Sequence, residues 1–349
     1  RFTNTRLMAL GKKKSLHQAA AAADDSYFET VLYTGNGSTQ SISTVGFQPD
    51  LVWVKNRNTA GNPHELADSV RGVNNTLNSD TSNAQYNNTT YQFNSFDANG
   101  FTVTDDTAGN YAVNGNNETY VAWNFKGGGA AVSGTGTGGA SSVSYSANTA
   151  SGFSIVKYTK SSTSGTMTHG LSAAPELIIE KRTDSAAYWN VRVEGVTGNN
   201  QTIYLNQTTE VSTHPSLNLW STPTTSVFGY DSANATAGDY VAYCFHSVTG
   251  VQKIGTYQGT GVSGISVTTG FQPKFILVKA TSRASAWLIM DTVRDTVSPM
   301  TEFLVAQTNG AEFSAPALGY GFNSTGFTVD NTDGTFNDGG ETYFYLAIA

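Results

Sequence analysis

Gly46-Phe47-Gln48-Pro49-Asp50-Leu51-Val52-Trp53-Val54-Lys55 and Gly270-Phe271-Gln272-Pro273-Lys274-Phe275-Ile276-Leu277-Val278-Lys279 are two copies of one phrase. After each proline comes a short run rich in β-branched and aromatic residues and apolar on both faces. That is the pattern of a strand covered on both sides. The prolines stand at the strand start, where a missing N–H does no harm. Both copies are preceded by Tyr-Thr-Gly or Tyr-Gln-Gly, and Tyr33 to Pro49 spans the same 16 positions as Tyr257 to Pro273. A weaker middle copy holds Tyr158-Thr159, Gly170-Leu171 and Pro175-Glu176-Leu177-Ile178-Ile179-Glu180-Lys181.

The repeat continues beyond the phrase. Gly100-Phe101-Thr102-Val103 matches Gly326-Phe327-Thr328-Val329, and Glu118-Thr119-Tyr120-Val121-Ala122-Trp123 matches Glu341-Thr342-Tyr343-Phe344-Tyr345-Leu346. The middle copy offers Asp239-Tyr240-Val241-Ala242-Tyr243. Asn36-Gly37, Asn99-Gly100, Asn114-Gly115, Asn309-Gly310 and Asp333-Gly334 supply the positive φ angles of tight turns. No long 3.6-residue apolar period occurs past the N-terminal stretch. The expected fold is all-β, with three tandem β-sandwich, jelly-roll-like domains. The expected boundaries are an arm at 1–26, repeats at 27–128, 151–248 (divergent) and 249–349, and a flexible Gly-rich linker at 129–150.

Composition narrows the function classes. The chain has 349 residues, 13% of them charged and 11% aromatic, with 36 glycines. That is too little charge and too many rings for a disordered chain. No apolar run reaches the length of a membrane span. The formal charge of -7 argues against a protein built to grip nucleic acid. The lone Cys244 permits no intrachain disulfide and sits in an apolar run, as a buried small hydrophobe would.

Residues 1–24 differ from the body. Arg1, Arg6, Lys12, Lys13 and Lys14 precede five alanines, but the apolar core of a secretion signal is missing. A short helix is expected there. It reads either as a frayed tail or as an assembly arm that docks through Lys12, Lys13 and Lys14. Contact with nucleic acid is a third reading.

At the repeated residues a family resemblance emerges. Tyr-Thr-Gly-x-Gly, Gly-Phe-Gln-Pro-Asp-Leu-Val-Trp-Val-Lys, Asp68-Ser69-Val70-Arg71-Gly72 and Gly-Phe-Thr-Val resemble a repeated domain of bacteriophage virion proteins. That domain is common in marine phages, where it is labelled tail fibre or structural protein. The likeness is close over residues 27–128, good over 251–349 with Asp291-Thr292-Val293-Arg294, and weak over 151–248. There Trp189-Asn190-Val191-Arg192 stands where Asp-x-Val-Arg is expected. The resemblance implies a virion β-domain; it does not imply a catalytic site.

The chemistry-bearing residues agree with that. His17, His64, His169, His214 and His246 fall in no metal-ligand spacing, and His169 reads as a surface residue before a turn. No Gly-x-Ser-x-Gly elbow is present. Asp330, Asp333, Asp338 and Glu341, with Asp105, Asp106 and Glu118 in the first repeat, read as Asx-rich turns, with calcium as the alternative. Asp68 with Arg71 and Asp291 with Arg294 read as structural salt links, or as contacts across a subunit interface. Trp53 is expected to be buried. Tyr86, Tyr91, Trp220 and Tyr230 lie in the least repeated stretches, 74–91 and 212–230; they are candidate host or glycan contacts, with a plain surface loop and core or intersubunit packing as the alternative readings.

Three function classes follow. The first is a virion attachment or tail-fibre component, expected to be a homo-oligomer and by preference a trimer, meeting a host cell-surface glycan. The second is a capsid decoration or fibre-anchoring subunit among other virion proteins. The third is a glycan-degrading enzyme, which lacks its catalytic residues here. The expected location is the virion, assembled in the host cytoplasm, without membrane insertion.

Overall fold

The computed structural model describes residues 26–87, 92–104 and 112–349. The expected arm with Lys12, Lys13 and Lys14 lies outside the described residues, as do Tyr91, Asp105 and Asp106. Among the described residues the chain is all-β, built of antiparallel strands.

The repeat read from sequence is a repeat of structure. In the first unit one sheet runs in the order Phe28–Thr34, Thr119–Phe125, Leu51–Asn56, Glu65–Asp68, Asn75–Leu77, Tyr86–Asn87. The third unit repeats that order with Gln252–Gln258, Thr342–Ile348, Phe275–Ala280, Leu288–Asp291, Glu302–Val305 and Phe313–Ser314. A smaller sheet covers each, made of Gln40–Ile42, Gly100–Val103 and Phe93–Asp97 in one and Ile265–Thr268, Gly326–Val329 and Tyr320–Asn323 in the other. In the middle unit the two layers are continuous, because Phe153–Thr168 pairs with Gly238–Phe245 along its first half and Val227–Tyr230 along its second.

The motifs have mechanical reasons. The tyrosines of the two repeated phrases stack across the strand pair, as Tyr33 on Tyr120, Tyr158 on Tyr240 and Tyr257 on Tyr343, with centroids 5.0, 5.9 and 4.9 Å apart. Gly100 and Gly326 open the Gly-Phe-Thr-Val strands because a Cβ there would lie 1.9 Å from the Ile42 or Val267 carbonyl oxygen.

The apolar runs are apolar on both faces for a reason that alternation explains. Val52 and Val54 face the interior of their own sandwich, while Leu51 and Trp53 face a core shared by all three units. Leu177 and Ile179 from the second unit, and Phe275 and Leu277 from the third, enter the same core. The three large sheets therefore close around a pseudo-threefold axis. Trp53 is buried there, as expected. Phe28 at the start of the ring packs on Phe275, centroids 5.2 Å apart, and Phe275 pairs with Ile348 at the end of the last strand.

Hydrogen bonds repeat around this axis. Trp189 Nε1 donates to the Asn78 carbonyl at 2.9 Å, and Trp287 Nε1 to the Tyr204 carbonyl at 3.0 Å. His64 Nε2 meets the Val305 carbonyl at 3.1 Å in the same place. Each seam is also clipped by two backbone bonds: Gln85 N to Thr183 O and Ala187 N to Ser82 O; Val211 N to Thr281 O and Ser285 N to Thr208 O; Glu312 N to Arg57 O and Gly61 N to Asn309 O. The lysine that ends each apolar run is buried beside its clip. Lys181 donates to the Ser82 carbonyl, Lys279 to that of Thr208, and Lys55 to that of Asn62. Burial pulls all three amines down to about 8.

Two organisational expectations change. Residues 129–150 are not a flexible linker: Val132–Ser133 and Gly136–Asn148 are strands, the second paired with Phe153–Thr168. Its glycines serve close approach, since a Cβ on Gly136 would lie 2.4 Å from the Ala140 carbonyl oxygen and one on Gly139 2.2 Å from that of Thr163. The three units also share a central core besides the one inside each sandwich, where separate tandem domains would have only their own.

Candidate functional site

The residues expected to meet a host fall in different places. Trp220 and Tyr230 are each 1% exposed and belong to the interior of the middle sandwich. They are packing residues, and the register shows why. Trp220 pairs with Tyr230 as Phe93 pairs with Val103 and Tyr320 with Val329, so Trp220 is the middle unit's version of a repeated core ring. Tyr86 is exposed on the edge strand Tyr86–Asn87. His169 is fully buried, not a surface residue: its Nδ1 accepts from the Leu171 amide and its Nε2 faces the Thr224 carbonyl, 3.1 Å each. Cys244 is buried as expected.

The repeated acid–arginine turns are buried ion pairs at the seams. Asp68 accepts from the Arg71 amide and guanidinium, and Asp291 from those of Arg294. Each also receives a donor from the neighbouring unit. Tyr243 donates its hydroxyl to Asp68 at 2.8 Å, and Trp123 its Nε1 to Asp291 at 3.0 Å. Glu312 bridges Arg294 and Arg57 across the latter seam, at 2.8 and 2.7 Å. The structural salt link holds, and the contact it makes across the seam is with a neighbouring unit of the same chain rather than with another subunit.

The middle unit lacks this pair, and not where the sequence placed it. Leu177 pairs with Val193 as Leu51 pairs with Asp68 and Phe275 with Asp291. Val193 and Val196 therefore replace the acid and the arginine. Arg192 sits at the strand position of Ala67 and Met290.

The middle sandwich instead encloses a charge pair of its own. Lys160 Nζ lies 2.8 Å from Glu180 Oε1, both side chains fully buried. Glu180 occupies the position of Val54 and Val278. Tyr158 donates to it, and Asn234 and Asn190 donate to its other oxygen. Lys160 also lies over the Tyr230 and Tyr240 rings, at 4.5 and 4.2 Å. Burial lowers the Lys160 pKa against the opposing pull of Glu180. The pair is sealed from any substrate, and its work is to tie the Ser232–Asn234 turn to the sheet.

Clefts that face solvent among the described residues include two built from these units. One, of about 640 Å³, runs between the Gly46-Phe47-Gln48 loop, Asp50, Lys126 and residues 127–129 and 147–149. Asp50 there accepts from Ser69 and the Gly129 amide, and burial raises its pKa. The other, of about 330 Å³, lies on the outer layer of the middle unit and is lined by Thr137, Ser164, Thr166, Ser221 and Asp231. On the axis only about 20 Å³ remains, lined by apolar side chains, which is one water's worth and no ligand site. Among the described residues no group of three His, Cys, Asp or Glu side chains is arranged to hold a metal ion. Asp338 instead pairs with Arg283.

The seam donors Trp123, Trp189, Tyr243 and Trp287 were not singled out by sequence reasoning as interface residues. A signal for the seams existed: a lysine closes every apolar run, and a cation at a covered strand end needs buried acceptors.

No curated protein matches the chain. A family described as a domain of unknown function, DUF7483, matches over residues 23–349, nearly the whole sequence, and the chain belongs to that family.

Proposed function

We propose that the chain is a non-catalytic structural component of a bacteriophage particle, a tail-fibre or host-attachment protein in its first reading. The observation that carries this is the closure of three repeated sandwiches around one core. A single chain so built has the symmetry of a trimeric fibre module and can stand on a threefold axis. The sequence resemblance to virion β-domains points the same way. A homo-oligomer of such chains, by preference a trimer, would associate through surfaces other than the shared core. The hydroxyl-lined cleft of the middle unit is where a polyhydroxylated host glycan would hydrogen-bond.

A second reading, capsid decoration or anchoring, draws on the burial of Trp220 and Tyr230, which leaves fewer rings to grip a sugar. Labelled antibody on purified particles separates the two. Label at the tail in few copies, with adsorption blocked by the same antibody, supports attachment. Many copies over the capsid support decoration. Absence from purified particles overturns both.

A further inference from the structure

We propose that the three seams carry different chemical keys, which restrict each unit to its proper neighbour and keep units of different chains from exchanging.

The positions are equivalent by register. Trp123 pairs with Trp53, Tyr243 with Ile179 and Leu346 with Leu277. Tyr243 and Trp123 meet the acid position of the neighbouring unit, and Leu346 holds the same register position. At the seam of units one and two, Tyr243 donates to Asp68 and receives from Arg71 Nη2 at 3.2 Å. At the seam of units three and one, Trp123 donates to Asp291, and the Arg294 guanidinium lies 5.7 Å from its ring centre. At the seam of units two and three, Leu346 and Val193 stand in the shared apolar core, with Val196 packed against it. Donor and acceptor thus change together: where the acid is kept the partner is a donor, and where it is Val the partner is Leu.

A mismatch is costly in either direction. Leu346 against Asp68 would leave a buried carboxylate oxygen short of a donor, and Tyr243 against Val193 would bury an unpaired hydroxyl. The backbone clips recur at all three seams, so they cannot tell one neighbour from another, and the Glu312–Arg57 bridge adds to the key between units three and one. Three such similar units in one chain invite swapping between chains during folding. Buried polar groups are best attested in setting register and partner.

The test uses the full chain with Asp68→Val, Arg71→Val and Tyr243→Leu, which copies the apolar set of the third seam into the first. Wild type and variant are refolded from denaturant over a range of concentrations and sized by light scattering. The wild type should return to the size it had before denaturation, and the variant should give several-fold more species of higher mass. Tyr243→Phe, which removes one hydroxyl and keeps the ring, is measured beside it and should shift the same way by less. Phe228→Leu, in the middle sandwich away from the seams, controls for lost stability and should not raise the fraction of higher mass. A fraction of higher mass equal to wild type for Tyr243→Phe, or an equal rise in the control, would overturn the proposal.

Discussion

Single side chains show how far local pattern carries. Trp53 lies inside a run that any reader of strands would bury, and it is 4% exposed, with its Nε1 donating to His64 Nδ1 at 2.8 Å. Trp53→Ala should cost ~3–5 kcal/mol, seen as a lower denaturant midpoint. Trp220 was legible only as an unrepeated ring in a polar stretch, because its pairing with Tyr230 depends on a strand of two residues. Trp220→Ala should likewise cost ~3–5 kcal/mol and lower the melting temperature; an unchanged melting temperature would contradict its place in the core. Glu65 gave no warning at all. It is buried at the position of Asn190 and Leu288, and burial pushes its carboxyl from 4.5 up to about 8. The folded state then holds a proton that the unfolded chain releases, so Glu65 stabilises least above pH 8 and its contribution falls as pH rises from about 4.5 to 8. The three seam lysines act in the next window. Their folded value near 8 lies below the unfolded 10.5, so stability regained from them rises between those values. Midpoints measured from pH 5 to 8 should fall more steeply for wild type than for Glu65→Gln, and parallel curves would refute the assignment.

At the scale of strands, composition misled where pairing ruled. A run of Gly, Ser and Thr looks like a tether, yet Gly136–Asn148 is the longest strand but one among the described elements. Nothing in its residue types distinguishes a free chain from an edge strand; the difference lies in the neighbour it pairs with, and that is a tertiary fact. Hydrogen exchange should find the amides of residues 144–148 protected like those of their partners in Phe153–Thr168, and exchange at the rate of free chain would contradict the strand. The Gly-Phe-Thr-Val motif was legible as a repeat, but its glycine only as a turn residue. Its φ of 156° is one that L side chains rarely adopt, and a Cβ there would also run into the Ile42 carbonyl. Gly100→Ala should therefore destabilise by about 1–3 kcal/mol, the usual cost of forcing an extra carbon into a filled space. Equal stability of Gly100→Ala and wild type would show that the strand can retreat.

For the whole molecule, the spacing of the repeats was readable and their association was not. The double-faced apolar strands hinted at cover on both sides, but a covered sheet does not say what covers it. Because Phe125, Phe245 and Phe275 belong to one core, the ring should unfold as one body. Calorimetry should give a single transition with matching calorimetric and van't Hoff enthalpies, whereas three resolved transitions would restore the picture of separate domains. A further consequence comes from the contact of Phe28 with Phe275, whose strand neighbour is Ile348. The first and last described strands are neighbours in the ring, as any two consecutive units are. The order in which the units are written along the gene is then a matter of where the circle was cut. A circular permutant, with residues 28 and 349 joined by a short Gly-Ser link and new ends opened at Gly128, should keep the same seams and nearly the same melting temperature.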